Sequence, residues 1–225
     1  MSSFESLSAA VRVIADTAVK NEQYFCDLDA VAGDGDFGYS LARGFESVLE
    51  NWDAIDACNP STFLRGVATT LATRLGGTSG PIWGTGFMRA GAAVKGRPEL
   101  DLHDTHAMID AAIGGIEHRG GATAGDKTLL DALYPVRDEL FAAMTRSDAP
   151  HAVAGAVAAA ARRGATHTKE LKASRGRASY VGDRSIGFED PGAVAVALMA
   201  ENIAGLWSTG ANPDPSLPLQ KESAR

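Results

Sequence analysis

The chain has 225 residues, 45% of them hydrophobic and 22% charged, which suits one domain of ordinary size with a real core. A net charge of −7 argues against a nucleic-acid surface. Cys26 and Cys58 show neither metal spacing nor a disulfide framework, and no stretch reads as a signal peptide or a membrane span, so a reducing cytoplasm is expected.

Taken in order, the elements are helical. Ser3 to Lys20 carries Leu7, Val11, Ile14 and Ala18 at spacings of three and four, with Ser2 or Ser3 as cap. An acidic, glycine-rich loop follows. Leu41 to Trp52 puts Phe45, Val48 and Leu49 on one face. Pro60-Ser61-Thr62 starts a third helix that stops at Gly76-Gly77. Pro81 lies near the start of a fourth, running to about Lys95. Asp101 to Glu117 is a fifth, ending at Arg119-Gly120-Gly121. Asp126 is read as the cap of a sixth, toward Met144. Ala149 to Arg163 is alanine-rich, Thr166 to Lys172 a short helix, and Pro191 opens the last, to Trp207. No alternating β pattern stands out. The expected fold is therefore all-α, with about eight helices in a single domain over residues 1–211. The proline-rich tail, 212–225, is expected to be mobile.

The stretch around which the rest is organised is the acidic loop. Asp29, Asp34 and Asp36 fall within eight residues, with Gly33, Gly35 and Gly38 among them. Glycines allow sharp turns and close approach to a ligand. Carboxylates this crowded repel unless a cation sits among them, and oxygen-only ligands suit Mg²⁺ or Ca²⁺. A solvated turn is the other reading, since Asp and Gly are common turn residues. An EF-hand does not fit, because Phe45 falls at position twelve and no glycine at position six. Thr78 and Ser79, between Gly77 and Gly80, read either as an anion site or as ordinary N-caps. Gly120-x4-Gly125-Asp126-Lys127-Thr128 nearly matches a phosphate-binding P-loop, but Asp126 is inserted before Lys127 and helix, not strand, precedes it. Arg175-Gly176-Arg177 is a basic spot in an acidic protein. The five histidines lie outside all of these stretches, and no Ser-His-Asp or Cys-His arrangement can be argued.

Asp29-x4-Asp34-Gly-Asp36-x-Gly38 resembles the metal loop of the nucleotide-binding L subunit of dihydroxyacetone kinases. Three further stretches resemble that family in the same order. They are Gly76 to Pro81, Gly125 to Leu133, and Gly176 to Tyr180 running on to Arg184 to Gly192. The resemblance implies an antiparallel, barrel-like bundle with the glycine-rich loops gathered at one end. It implies ADP or ATP as the ligand, with a pair of Mg²⁺ ions on Asp29, Asp34 and Asp36. Against the roughly six or seven negative charges of three aspartates and a nucleotide's phosphates, one ion would leave a large excess and two come nearer to balance. Nucleotide contacts would come from Phe37, Gly38, Tyr39 and Ser40 at a helix start, and from Thr78, Ser79, Gly120 and Leu129. Arg175, Asp190, Pro191 and Gly192 complete the set. The family commonly has His where this chain has Phe37 and Phe188.

The resemblance further implies a subunit of a small-ketose kinase that presents a phosphoryl group to a substrate-bearing K subunit, with ATP or a phosphotransferase phosphocarrier protein as the phosphoryl source. No catalytic residue of its own is assigned. The rival readings are a nucleotide-binding regulatory or scaffold subunit that transfers nothing, and a metal-dependent phosphohydrolase, for which no general base stands out.

Overall fold

The computed structural model describes residues 2–55, 57–77, 79–146 and 148–208. Its α-helices are α1 (Ser3–Lys20), α2 (Glu22–Ala30), α3 (Phe37–Glu50), α4 (Pro60–Arg74), α5 (Ser79–Ala93), α6 (Leu102–Gly120), α7 (Leu130–Arg146), α8 (Pro150–His167) and α9 (Pro191–Ser208). Short 3₁₀ turns cover Trp52–Ala54, Thr168–Glu170 and Arg177–Ser185. The described residues contain no strand.

Local chemistry sets most of the helix starts. Ser2 and Glu5 form a capping box at α1, and Asp101 and Asp104 form another at α6. Asn59 accepts from the Thr62 amide at 3.0 Å, with Pro60 in the first turn of α4. Gly121, at φ 64°, ends α6 as a left-handed cap.

Eight of the helices close a ring. α1 packs on α3, α3 on α4, and each later helix on its successor, until α9 returns to α1. The shorter α2 packs on α3 and α9. Phe25, Leu41, Phe45, Phe63, Leu71, Val67 and Val194 are fully buried inside this ring. Burying each such side chain contributes about 1.5–3 kcal/mol, which holds the barrel closed.

The ring also decides where the loops go. Neighbouring helices joined by short connections run antiparallel, so alternate connections share an end. The loops after α2, α4, α6 and α8 therefore lie together. They carry the four stretches singled out in the sequence. The opposite end holds the connections after α3, α5 and α7. There Asp104 is 8% exposed and is gripped by Arg97 at 2.9 and 3.2 Å.

Three expectations need correction. The acidic loop does not follow α1 directly, because Glu22–Ala30 forms α2 and Asp29 lies on it. The second expected helix begins at Phe37, not Leu41, and ends at Glu50. Asp126 does not cap the sixth helix, which starts at Leu130. Thr128 takes that work, since its Oγ1 accepts the Leu130 amide at 3.2 Å, while the Asp131 carboxylate fixes the loop ahead of the helix by accepting the Thr128 amide at 2.7 Å and the Gly125 amide at 2.6 Å. The expected mobile tail, 212–225, lies outside the described residues.

Candidate functional site

The acidic loop is built by a tight turn between α2 and α3. Gly35 sits at φ 75°, in the left-handed region that favours glycine. The Gly33 amide donates to the Asp29 carbonyl at 2.6 Å. The Asp29 side chain folds over Gly33, where a Cβ would lie 2.2 Å from its Oδ1. Its Oδ2 accepts the Phe37 amide at 3.3 Å, anchoring the carboxylate at the start of α3. Asp36 occupies the N-cap position of α3 but makes no side-chain cap bond. Its carboxylate is left facing the loop.

One oxygen from each of Asp29, Asp34 and Asp36 lies within 4.8 Å of the others. Among the described residues this is the one such group of three metal-capable side chains. Half-buried Asp29 and exposed Asp34 and Asp36 offer only hard oxygen donors, which fits Mg²⁺. Their need for positive charge is visible in the fold. The Arg177 guanidinium pairs with Asp34 and lies 3.7 Å from Asp36.

The other loops converge on this one. A Cβ on Gly76 would lie 3.8 Å from Ser40 Oγ, so the loop after α4 abuts the start of α3. Ser79 is the first residue of α5, and Thr78 lies outside the described residues. A Cβ on Gly120 would meet Ile82 at 3.0 Å, joining the end of α6 to the first turns of α5. A Cβ on Gly192 would sit 3.3 Å from Leu129 Cβ, so Leu129 and the start of α9 form one wall.

The two arginines divide their work. Arg175, singled out from the sequence, pairs with Asp126 at 3.4 Å, and the Ser174 amide donates to the Asp126 carbonyl at 3.1 Å. Arg177 reaches the acidic cluster instead. Nothing local separates two arginines one glycine apart; the long-range partner decides. Asp190 turns its carboxylate onto its own helix, accepting the Ala193 amide at 2.7 Å. Burial pushes that carboxyl from its ordinary 3.8 up to about 7, against the pull of the Ala193 amide and the Lys127 ammonium. Phe37 packs edge-on against buried Phe25, with ring centres 6.1 Å apart. Phe188, 46% exposed, gives its carbonyl to Lys127.

The sequence model of the DAK2 domain matches residues 31–205. This chain belongs to the DAK2 family. The match spans all four converging loops. The chain is 36% identical over 182 residues to the ADP-binding subunit DhaL of the PEP-dependent dihydroxyacetone kinase of Escherichia coli strain K12. That alignment covers 81% of this chain and 87% of the relative. It is 35% identical over 199 residues to L-erythrulose 1-kinase of Mycolicibacterium smegmatis, covering 86% of this chain but 34% of that enzyme. Among solved structures it resembles the dihydroxyacetone kinase of C. freundii in complex with AMP-PNP and Mg²⁺. The TM-score is 0.71 at 24% identity, over 88% of this chain and 33% of that one, which establishes a shared fold. No helix among the described residues is long and apolar enough to cross a membrane.

Proposed function

We propose that this chain is the ADP/ATP-Mg²⁺-binding subunit of a dihydroxyacetone-type kinase and presents a phosphoryl group to a separate substrate-bearing K subunit. The observation that carries this reading is the convergence of Asp29, Asp34 and Asp36 at the loop end of the ring, in a DAK2 chain covering most of an ADP-binding subunit.

Asp29, Asp34 and Asp36 would hold Mg²⁺, and two ions answer the charge of the nucleotide's phosphates best. Bound there, the metal supplies charge neutralisation at the phosphates. The chain's own residues do the rest. Phe37, Gly38, Tyr39 and Ser40 start α3, whose N-terminal end favours anions. Ser79 at the start of α5 adds a second such end, with Thr78 beside it in sequence. The Phe37 amide already serves Asp29, so this residue acts by holding a metal ligand. Arg177, rather than Arg175, is placed to leave Asp34 for a phosphate once cations balance the aspartates. Leu129, Gly120, Pro191 and Gly192 wall the opposite, apolar side, where a base would lie. Asp190 shapes that wall by capping α9. Catalysis of this kind is positioning plus charge neutralisation.

A partner is needed because, among the described residues, no His or Lys beside the acidic loop is placed to hold a ketose. Tyr180 is 89% exposed, and Tyr39, Val31, Ile186 and Phe188 are also exposed, all in the loops or helix start of this end. Large apolar side chains gathered around a charged site suit a protein partner. The phosphoryl source is ATP exchanging as a substrate, or a phosphotransferase phosphocarrier protein recharging bound ADP. The test is ketose phosphorylation from ATP with and without a purified substrate-binding subunit. Turnover only in the mixture supports the reading. Nucleotide binding with no transfer in any mixture would favour a regulatory subunit.

A further inference from the structure

Lys127 combines features that are individually unfavourable. It is 4% exposed, although lysine normally keeps its ammonium in water. Its φ is 62°, and it is the one non-glycine residue with positive φ among the described residues. Burial lowers the pKa of its ammonium, while Asp190 and Asp131 oppose that shift. Such costs persist where the surrounding structure uses the residue.

Its contacts show the use. Nζ donates to the Thr168 carbonyl at 2.6 Å and to the Phe188 carbonyl at 2.5 Å. Those two segments are themselves laced together. The Asp190 amide donates to Thr168 Oγ1 at 2.8 Å, and the Gly187 amide to the Lys169 carbonyl at 2.8 Å. Lys127 thus ties the loop after α6 to the turn after α8 and to the segment leading into α9. It stands two residues before Leu129 on one side of this knot. Phe188 stands four residues before Gly192 on the other. Leu129 and Gly192 meet as the apolar wall described above.

We propose that Lys127 is a positioning residue that sets the gap between Leu129 and Gly192, and so fixes the base end of the nucleotide site without touching the nucleotide. This rests on the nucleotide-site reading above. The left-handed backbone turns the side chain inward while Asp126 pairs outward with Arg175. The charged donor holds two carbonyls that a neutral, apolar side chain would release.

The metal end is separate, built on Asp29, Asp34, Asp36 and Arg177. That separation supplies the test. ADP-Mg²⁺ and pyrophosphate-Mg²⁺ are titrated calorimetrically into the full chain, its K127M variant and its K127Q variant, with circular dichroism reporting the fold. Pyrophosphate uses the metal end alone. K127M is expected to weaken ADP-Mg²⁺ at least about tenfold and leave pyrophosphate-Mg²⁺ within about twofold. K127Q, whose amide can still donate to a carbonyl, is expected to fall between K127M and wild type, and carries the test if K127M does not fold. Equal losses for both ligands, no loss for either, or failure of both variants to fold would overturn the role. A wild-type chain that binds pyrophosphate-Mg²⁺ and ADP-Mg²⁺ equally would likewise remove the base end. A wild-type chain that binds neither would refute the nucleotide site itself.

Discussion

Gly38→Ala tests how the acidic loop is held. Gly38 lies in the first turn of α3, where that helix presses on α2. A Cβ there would stand 2.0 Å from the Glu22 carbonyl oxygen, 2.7 Å from the Cys26 amide nitrogen and 2.9 Å from Cys26 Sγ. The first two are backbone atoms and cannot swing away. The helices must part by roughly 1.4 Å to regain ordinary contact, and overpacking of this kind costs about 1–3 kcal/mol. Separation also breaks the bond from the Tyr39 amide to Cys26 Sγ, at 3.2 Å, and stretches that from the Phe37 amide to Asp29. Each adds about 1 kcal/mol. The sum is about 3–5 kcal/mol, or roughly 6–20 °C in melting temperature for a domain of this size. Calorimetric melting measures it, with Gly155→Ala as the control. Gly155 is exposed within α8, and a Cβ added there would meet nothing within 4 Å, so alanine at this position should raise stability by about 0.5–1 kcal/mol. G38A melting within about 2 °C of wild type would refute the close packing of α3 on α2.

Other outcomes follow from the same geometry. Asp36→Asn should leave the melting temperature of the metal-free protein unchanged or raised, because it removes like-charge repulsion, yet abolish most stabilisation by Mg²⁺ with ADP; circular dichroism melts with and without ligand measure both. The Asp190 carboxyl titrates near 7 in the folded chain and near 3.8 when free, so the folded state holds the extra proton between those values. Its contribution is fully present below about pH 4, falls as pH rises to about 7 and is level above that. Urea unfolding across that range should lose this slope in Asp190→Asn. The purified chain alone should phosphorylate no ketose at a useful rate, and a coupled assay with added substrate-binding subunit should restore turnover.

The helices were legible where the cause is local. Ser2 with Glu5, Asn59 with Pro60, and Asp101 with Asp104 are capping signals within a few residues, and each marks a true helix start. α2 was not legible, because its nine residues bury only Phe25 and show no apolar repeat. Asn21, which separates it from α1, makes no side-chain cap bond to it. Asp126 looked like the cap of α7 because it follows two glycine-rich turns. Thr128 caps it instead, and Asp131 secures the loop ahead of the helix by accepting two amides at once, a geometry spread over six residues. The grouping of Asp29, Asp34 and Asp36 was readable from spacing, since one tight turn joins the end of α2, which carries Asp29, to Asp34 and Asp36 at the start of α3. The split between Arg175 and Arg177 was not, nor was the burial of Lys127. Both depend on distant partners: Thr168 lies 41 residues beyond Lys127, and Asp34 is farther still from Arg177.

A nucleotide site at Asp29, Asp34 and Asp36 requires that ADP need Mg²⁺ to bind there. The measurement is the melting temperature of the full chain with ADP, once with Mg²⁺ and once with a chelator. At a hundredfold excess over Kd, binding to the folded state alone adds about 2.7 kcal/mol, a rise of several degrees for a chain of this length. That rise is expected with Mg²⁺ and little change with chelator, where phosphate oxygens would face three bare carboxylates. Equal rises in both would contradict such a site, and would leave the three aspartates as a solvated turn.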